Sequence, residues 1–133
     1  MEPWLVELIN SADVARLATT DGHQPHLVPV VLVSEGNHIY LPIDGKLKKP
    51  GTLKRVTNLE LHPEVALLVD HYEEDWSQLW WVRVDAVASI VPLPTAARNK
   101  FIEKYSGYGH TEIGIESIKL EVVNVQKWSN SAE

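Results

Sequence analysis

Residues 79–91 read Leu79-Trp80-Trp81-Val82-Arg83-Val84-Asp85-Ala86-Val87-Ala88-Ser89-Ile90-Val91. Successive side chains of a β-strand point to opposite faces, so the residues sort by parity. The even positions, Trp80, Val82, Val84, Ala86, Ala88 and Ile90, are all apolar. That pattern predicts a strand with one face packed into a core. The odd positions hold Leu79, Trp81, Arg83, Asp85, Val87 and Ser89. A water-facing surface seldom carries Leu and Trp together. Trp80 therefore reads as core, and Trp81 as an interface residue or part of a site wall.

Working outward, further strands are expected at 14–20, 26–34, 37–43, 64–71 and 115–128, with the one above spanning 78–91. Asp21-Gly22 ends the first, and Ser34-Glu35-Gly36-Asn37 forms a hairpin between the second and third. Helices are expected at 3–11, at 52–61 (stopped by His62-Pro63) and at about 95–105, ending at Gly107. Six strands joined by short turns, with little helix, predict a mostly β, antiparallel barrel in one domain spanning residues 1–133. Within 27–33, Leu-Val-Pro-Val-Val-Leu-Val, both faces are apolar. Such a strand needs cover outside the barrel, and a second copy of the chain is the simplest cover, so a homodimer is expected.

Composition limits the chemistry. The chain has 133 residues, 44% of them hydrophobic, which suits an ordered domain. Cysteine is absent, which removes disulfides, thiolate catalysis and Cys-ligated zinc. Met1-Glu2-Pro3-Trp4 lacks the basic start and apolar run of a secretory signal, and no stretch reaches transmembrane length. A cytoplasmic protein that engages neither membrane nor nucleic acid is expected, the latter because the net charge is −6. The charge is uneven, however. Lys46, Lys48, Lys49, Lys54 and Arg55 supply five of the twelve basic residues within ten positions.

That cluster follows a strand and enters a helix, through Asp44-Gly45-Lys46-Leu47-Lys48-Lys49-Pro50-Gly51-Thr52-Leu53-Lys54-Arg55. Unpaired N–H groups at a helix start, partial positive charge and added lysines make a candidate phosphate site. Asn58 lies four residues after Lys54, on the same helical face. The competing reading is a solvated basic loop. The acidic run Asp70-His71-Tyr72-Glu73-Glu74-Asp75 has no spacing of a closed metal site and reads as a solvated loop, so no metal is expected. The six histidines form no HExxH pair, no serine sits in GxSxG, and neither GxGxxG nor a P-loop occurs. Any catalysis should rest on a bound cofactor, with no catalytic side chain assigned.

A resemblance sharpens this. Arg16-Leu17-Ala18-Thr19-Thr20-Asp21-Gly22-His23-Gln24-Pro25-His26-Leu27-Val28-Pro29-Val30 resembles the opening of the pyridoxamine 5′-phosphate oxidase-like split barrels. His38-Ile39-Tyr40-Leu41-Pro42-Ile43 is similar to their third strand. Lys54-Arg55-Val56-Thr57-Asn58-Leu59-Glu60-Leu61-His62-Pro63-Glu64-Val65-Ala66-Leu67-Leu68-Val69 resembles their "K..NL..NP.V.L.V" signature. The segment from Asp70 to Arg83 further resembles a subgroup of deazaflavin (coenzyme F-420)-dependent enzymes.

The resemblance implies a six-stranded split β-barrel, FMN-binding-protein-like, acting as a homodimer with its cofactor at the interface. Lys46, Lys48, Thr52, Lys54 and Asn58 would hold the cofactor phosphate. Pro29, Val30, Leu41 and Ile43 would line the ring, with Trp80, Trp81 and Arg83 contributing from the same or the partner protomer. The implied activity is hydride transfer between coenzyme F-420, or alternatively FMN, and a small organic substrate. The alternatives are a non-catalytic flavin, deazaflavin or haem binder, and an FMN-dependent pyridoxamine phosphate oxidase-like enzyme. The family often has Gly where Val84-Asp85-Ala86-Val87 runs here, and the Lys-rich loop differs from the Ser-Arg-Lys form of the true oxidases, which argues against vitamin processing.

Overall fold

Helix α1 (Pro3–Ser11) starts on a proline, whose missing N–H costs nothing in a first turn, and buries Leu5 and Ile9. The computed structural model describes residues 1–44 and 54–130. After α1 come β1 (Ala15–Thr20), β2 (Pro25–Val30), β3 (Val33–Glu35) and β4 (His38–Ile43). Then follow α2 (Lys54–Leu61), β5 (Glu64–His71), a 3₁₀ turn (Trp76–Gln78) and β6 (Trp80–Pro92). Helix α3 (Thr95–Lys104), a second 3₁₀ turn (Ser106–Gly109) and β7 (Glu116–Ser129) complete the chain. The sheet is antiparallel throughout, in the order β2-β1-β5-β6-β7-β4-β3.

Among the described residues the expected six strands are seven. The segment 26–34 is not one strand: it breaks at Val31 and Leu32, and its halves lie at opposite edges of the sheet. The hydrogen-bonded ladder is not closed, yet a two-residue link joins its edges, so the sheet wraps around as a split barrel. At the break, backbone polar groups need partners other than a neighbouring strand. Side chains from the end of α3 provide them. The Leu32 N–H donates to the Tyr105 hydroxyl (3.0 Å), and the Leu32 carbonyl accepts from the Lys104 amine (2.8 Å). Lys104 also donates to the Ile9 carbonyl at the end of α1 (3.0 Å). This seam is the physical reason the apolar run of 27–33 does not make a single two-sided strand.

Parity in β6 is as expected: Val82, Val84, Ala86 and Ala88 are buried, while Trp80 and Ile90 are partly buried at the ends. Trp80, expected as core, thus stands at the barrel's mouth. These residues join Leu17, Leu41, Leu67 and Leu120 in the interior. A second cluster, Val33, Tyr40, Ala97, Phe101 and Ile113, lies outside β3 and β4, where α3 covers the sheet. Helix α3 itself ends at Lys104, short of Gly107.

The β4 end is pinned by Asp44. Its carboxylate accepts from the Tyr108 hydroxyl (2.9 Å) and the Gly114 N–H (2.9 Å). A Cβ on Gly114 would sit 1.7 Å from the Ile43 carbonyl oxygen, so only glycine lets this backbone pass. No helix among the described residues is long and apolar enough to cross a membrane.

Candidate functional site

Strand pairing fixes which residues share the sheet's outer face. Pro29, Arg16, Leu68, Arg83 and Gln126 form one row across β2, β1, β5, β6 and β7. Leu27, Ala18, Ala66, Asp85 and Asn124 form the next. Toward one end Asp70, Trp81 and Trp128 stand side by side, and toward the other Glu64, Val87 and Glu121. No helix among the described residues covers these rows, and Leu27 remains 67% exposed.

At the Trp81 end the face deepens into a cleft of about 390 Å³. Its walls include Leu68, Leu79, Trp81, Trp128 and Arg83. The guanidinium is held by the carboxylate two residues on, Nε to Oδ1 of Asp85 at 3.0 Å and Nη2 to Oδ2 at 3.3 Å. Asn124 donates to the same carboxylate (3.4 Å). Partly exposed, this pair adds little stability, but it fixes the orientation of a planar cation beside two indoles. Such a wall suits a flat, electron-rich or anionic ligand.

The acidic run above the cleft is locally engaged. Asp70 pairs with Arg16 (3.3 Å), Glu73 meets His71, and Asp75 caps the 3₁₀ turn through the Ser77 N–H (3.1 Å). No group of three or more His, Asp or Glu that could hold a metal occurs among the described residues.

At the opposite end of the face, α2 meets the β1–β2 turn. Lys46, Lys48 and Thr52 lie outside the described residues. Lys54 opens α2, exposed, with its amine 3.3 Å from Asp21. Asp21 also accepts from the backbone N–H groups of Gln24 (2.7 Å) and His23 (2.9 Å), which hold its carboxyl well below the usual carboxylate range. Gly22 takes φ +97°, with the His62 ring against it. Asn58 faces inward, almost fully buried, and donates to Thr19 Oγ1 (3.1 Å). Among the described residues its Oδ1 has no partner, and neither has Nδ1 of His26, the strand neighbour of Thr19.

The other expected residues divide between surfaces. Val30, Leu41 and Ile43 pack in the barrel interior, whereas Pro29 is exposed on the outer face. Trp81 and Arg83 come together in the cleft. Lys54 does not join them, because β5 separates the two ends by six residues, Glu64 to Asp70, or about 20 Å of extended chain. Trp128 was missed by sequence reasoning. Extending parity analysis to 115–128 and pairing that strand with 78–91 would have set it opposite Trp81.

Known structures share this architecture. A FAD-binding protein from Mesorhizobium loti is 20% identical with a TM-score of 0.65, over 96% of this chain and 94% of its own. A conserved hypothetical protein from Mycobacterium tuberculosis is 19% identical with a TM-score of 0.72, over 98% and 85%. The haem storage protein HutZ from Vibrio cholerae is 18% identical with a TM-score of 0.69, over 96% and 93%. No curated protein matches the sequence. The family model described as pyridoxamine 5′-phosphate oxidase matches residues 1–132. With that match over nearly the whole chain and the split-barrel sheet beneath it, the chain belongs to the pyridoxamine 5′-phosphate oxidase family.

Proposed function

We propose that this protein is a homodimeric oxidoreductase that binds a flavin-type cofactor between its protomers. The observation that carries the reading is the separation on the outer face. A cationic helix start lies at one end, and an aromatic cleft with a fixed Arg83 lies about 20 Å away at the other. A two-fold interface sets the same patch of both copies against each other in opposed order. The Lys54 end of one protomer then approaches the Trp81 end of its partner. Phosphate binding at α2 and ring packing on Trp81 and Trp128 become parts of one site, and the uncovered Leu27 and Leu68 are buried in the process. Bound there, the cofactor supplies hydride transfer, while the chain's own residues orient it and exclude water.

The finer reading is a deazaflavin, coenzyme F-420, in preference to FMN. Its support is the resemblance carried by Asp70 to Arg83 and the lysines available for the anionic tail that F-420 carries beyond its phosphate. The substrate is a small organic molecule.

Titration of the purified protein with FMN and with F-420, at low and high salt, tests both levels. Saturable binding of either supports the cofactor reading, and tighter F-420 binding that weakens with salt supports the finer one. Tighter FMN binding under both conditions overturns the deazaflavin preference. Binding of neither, with haem bound instead, overturns the flavin-type reading. Lys54→Ala should weaken cofactor binding about tenfold, the value of one charge-assisted phosphate contact.

A further inference from the structure

A second cleft opens on the other side of the β6–β7 end, between those strands and α1, with a volume of about 660 Å³. Helix α1 presents Trp4, Glu7, Leu8 and Ser11 to it, spaced i, i+3, i+4 and i+7 along one face. The opposite wall is the inward side of the barrel sheet. Lys127 pairs with the buried Val82, and Ser129 with Trp80, so the apolar interior turns polar at the mouth.

Two charges line this cleft. The Lys127 ammonium stands over the Trp4 ring, 4.4 Å from its centroid, and the Glu7 carboxylate lies one helical turn from Trp4. They do not pair with each other, and neither has an ion-pair partner among the described residues. A hydrophobic cleft of a few hundred Å³ with a few fixed polar groups is the usual form of a small-molecule site.

We propose that this cleft binds a flat aromatic molecule carrying both an ammonium and a carboxylate. The ring packs between Trp4 and Trp80, the carboxylate meets Lys127 and the ammonium meets Glu7. An anion without the ammonium gains from Lys127 and is opposed by Glu7. A cation without the carboxylate meets the reverse. The zwitterion alone complements both. Its charges are distinct from the outer face, where Arg83 is the cation, while Trp80 and Trp128 stand between the two clefts and line both.

The probe is 4-(aminomethyl)benzoate, followed through the indole N–H signals of the protein in solution NMR. Controls are 4-methylbenzoate and 4-methylbenzylammonium. Saturable shifts of the Trp4 indole, which does not line the outer cleft, are expected from the zwitterion, with either control about fivefold weaker, the upper value of an exposed ion pair. Lys127→Met keeps packing over Trp4 while removing charge, and Glu7→Gln does the same on the helix. Each should reduce the zwitterion's affinity to that of the matching control, while Arg83→Ala leaves it unchanged. Unsaturable shifts, equal affinity for all three compounds, or loss of binding in Arg83→Ala but not Lys127→Met would overturn the proposal. Failure of cofactor binding alone would leave it standing.

Discussion

The outer surface of the sheet has two halves of similar strand chemistry and different fates. Over β3 and β4, α3 lays Ala97 and Phe101 against Val33 and Tyr40, and all four are buried. Over β2, β1, β5 and β6 no helix among the described residues lies above Leu27, Leu68 or Val87, and Leu27 and Val87 are 67% and 41% exposed. The three helices among the described residues have no apolar stripe to spare. Leu5 and Ile9 of α1 and Val56 and Leu59 of α2 join the barrel interior, and α3 covers its own half. An apolar pattern therefore marks a face for burial without saying what buries it. The helix supply decides that, and over the bare half the described residues supply none.

The comparison breaks most visibly on the covered side. Phe101 is fully buried, so Phe101→Ala should cost about 3–5 kcal/mol in urea unfolding, by lost contact and the cavity left behind. Gly114→Ala should follow at about 3 kcal/mol, because its Cβ meets the Ile43 carbonyl and no rotamer change relieves a backbone clash. On the bare half, Leu68 is half-buried, so Leu68→Glu should cost the protomer only about 1 kcal/mol, well below the loss at Phe101. It should nevertheless turn the proposed dimer into a monomer in light scattering, because it places a charge in the middle of the outer face. Unfolding of Leu68→Glu, or an unchanged association state, would erase the distinction between the halves.

The legible and illegible features divide along this same line. Strand parity at 79–91 placed Val82, Val84, Ala86 and Ala88 inside, because period-two burial is a local property. The break after Val30 was not legible. Both faces of 27–33 are apolar, and the partners that end the strand, Tyr105 and Lys104, lie 73 and 72 residues from Leu32. Asn58 was read as sharing a helical face, and a phosphate site, with Lys54, yet its amide turns inward to Thr19. Sequence spacing gives a helix's angular pattern but not its orientation on the barrel. That Trp81 lies on the outward face was readable from strand parity, whereas its neighbour Trp128 required a strand register.

The smallest effect concerns the seam itself. Half-buried between α1, the Leu32 link and the Tyr105 ring, the Lys104 amine has its pKa pulled down by burial from 10.5 to about 8, with Asp13 opposing the shift. Below pH 8 the lysine is protonated in both folded and unfolded chains, and stability does not vary on its account. Between about 8 and 10.5 the unfolded chain binds more protons than the folded one, so stability rises with pH. Above 10.5 both forms are neutral and the contribution levels off. Tyr105 and Tyr108, whose pKa values burial raises above 10.0, act in the opposite direction only at still higher pH. The rise should therefore be seen cleanly between pH 8 and 9.5, as a modest increase in the urea midpoint, since solvent reaches part of the side chain. Lys104→Met should flatten the profile over that interval. A wild-type midpoint that falls or stays level from pH 8 to 9.5 would mean that water reaches the amine freely, and that the covered half is not dry where it meets the seam.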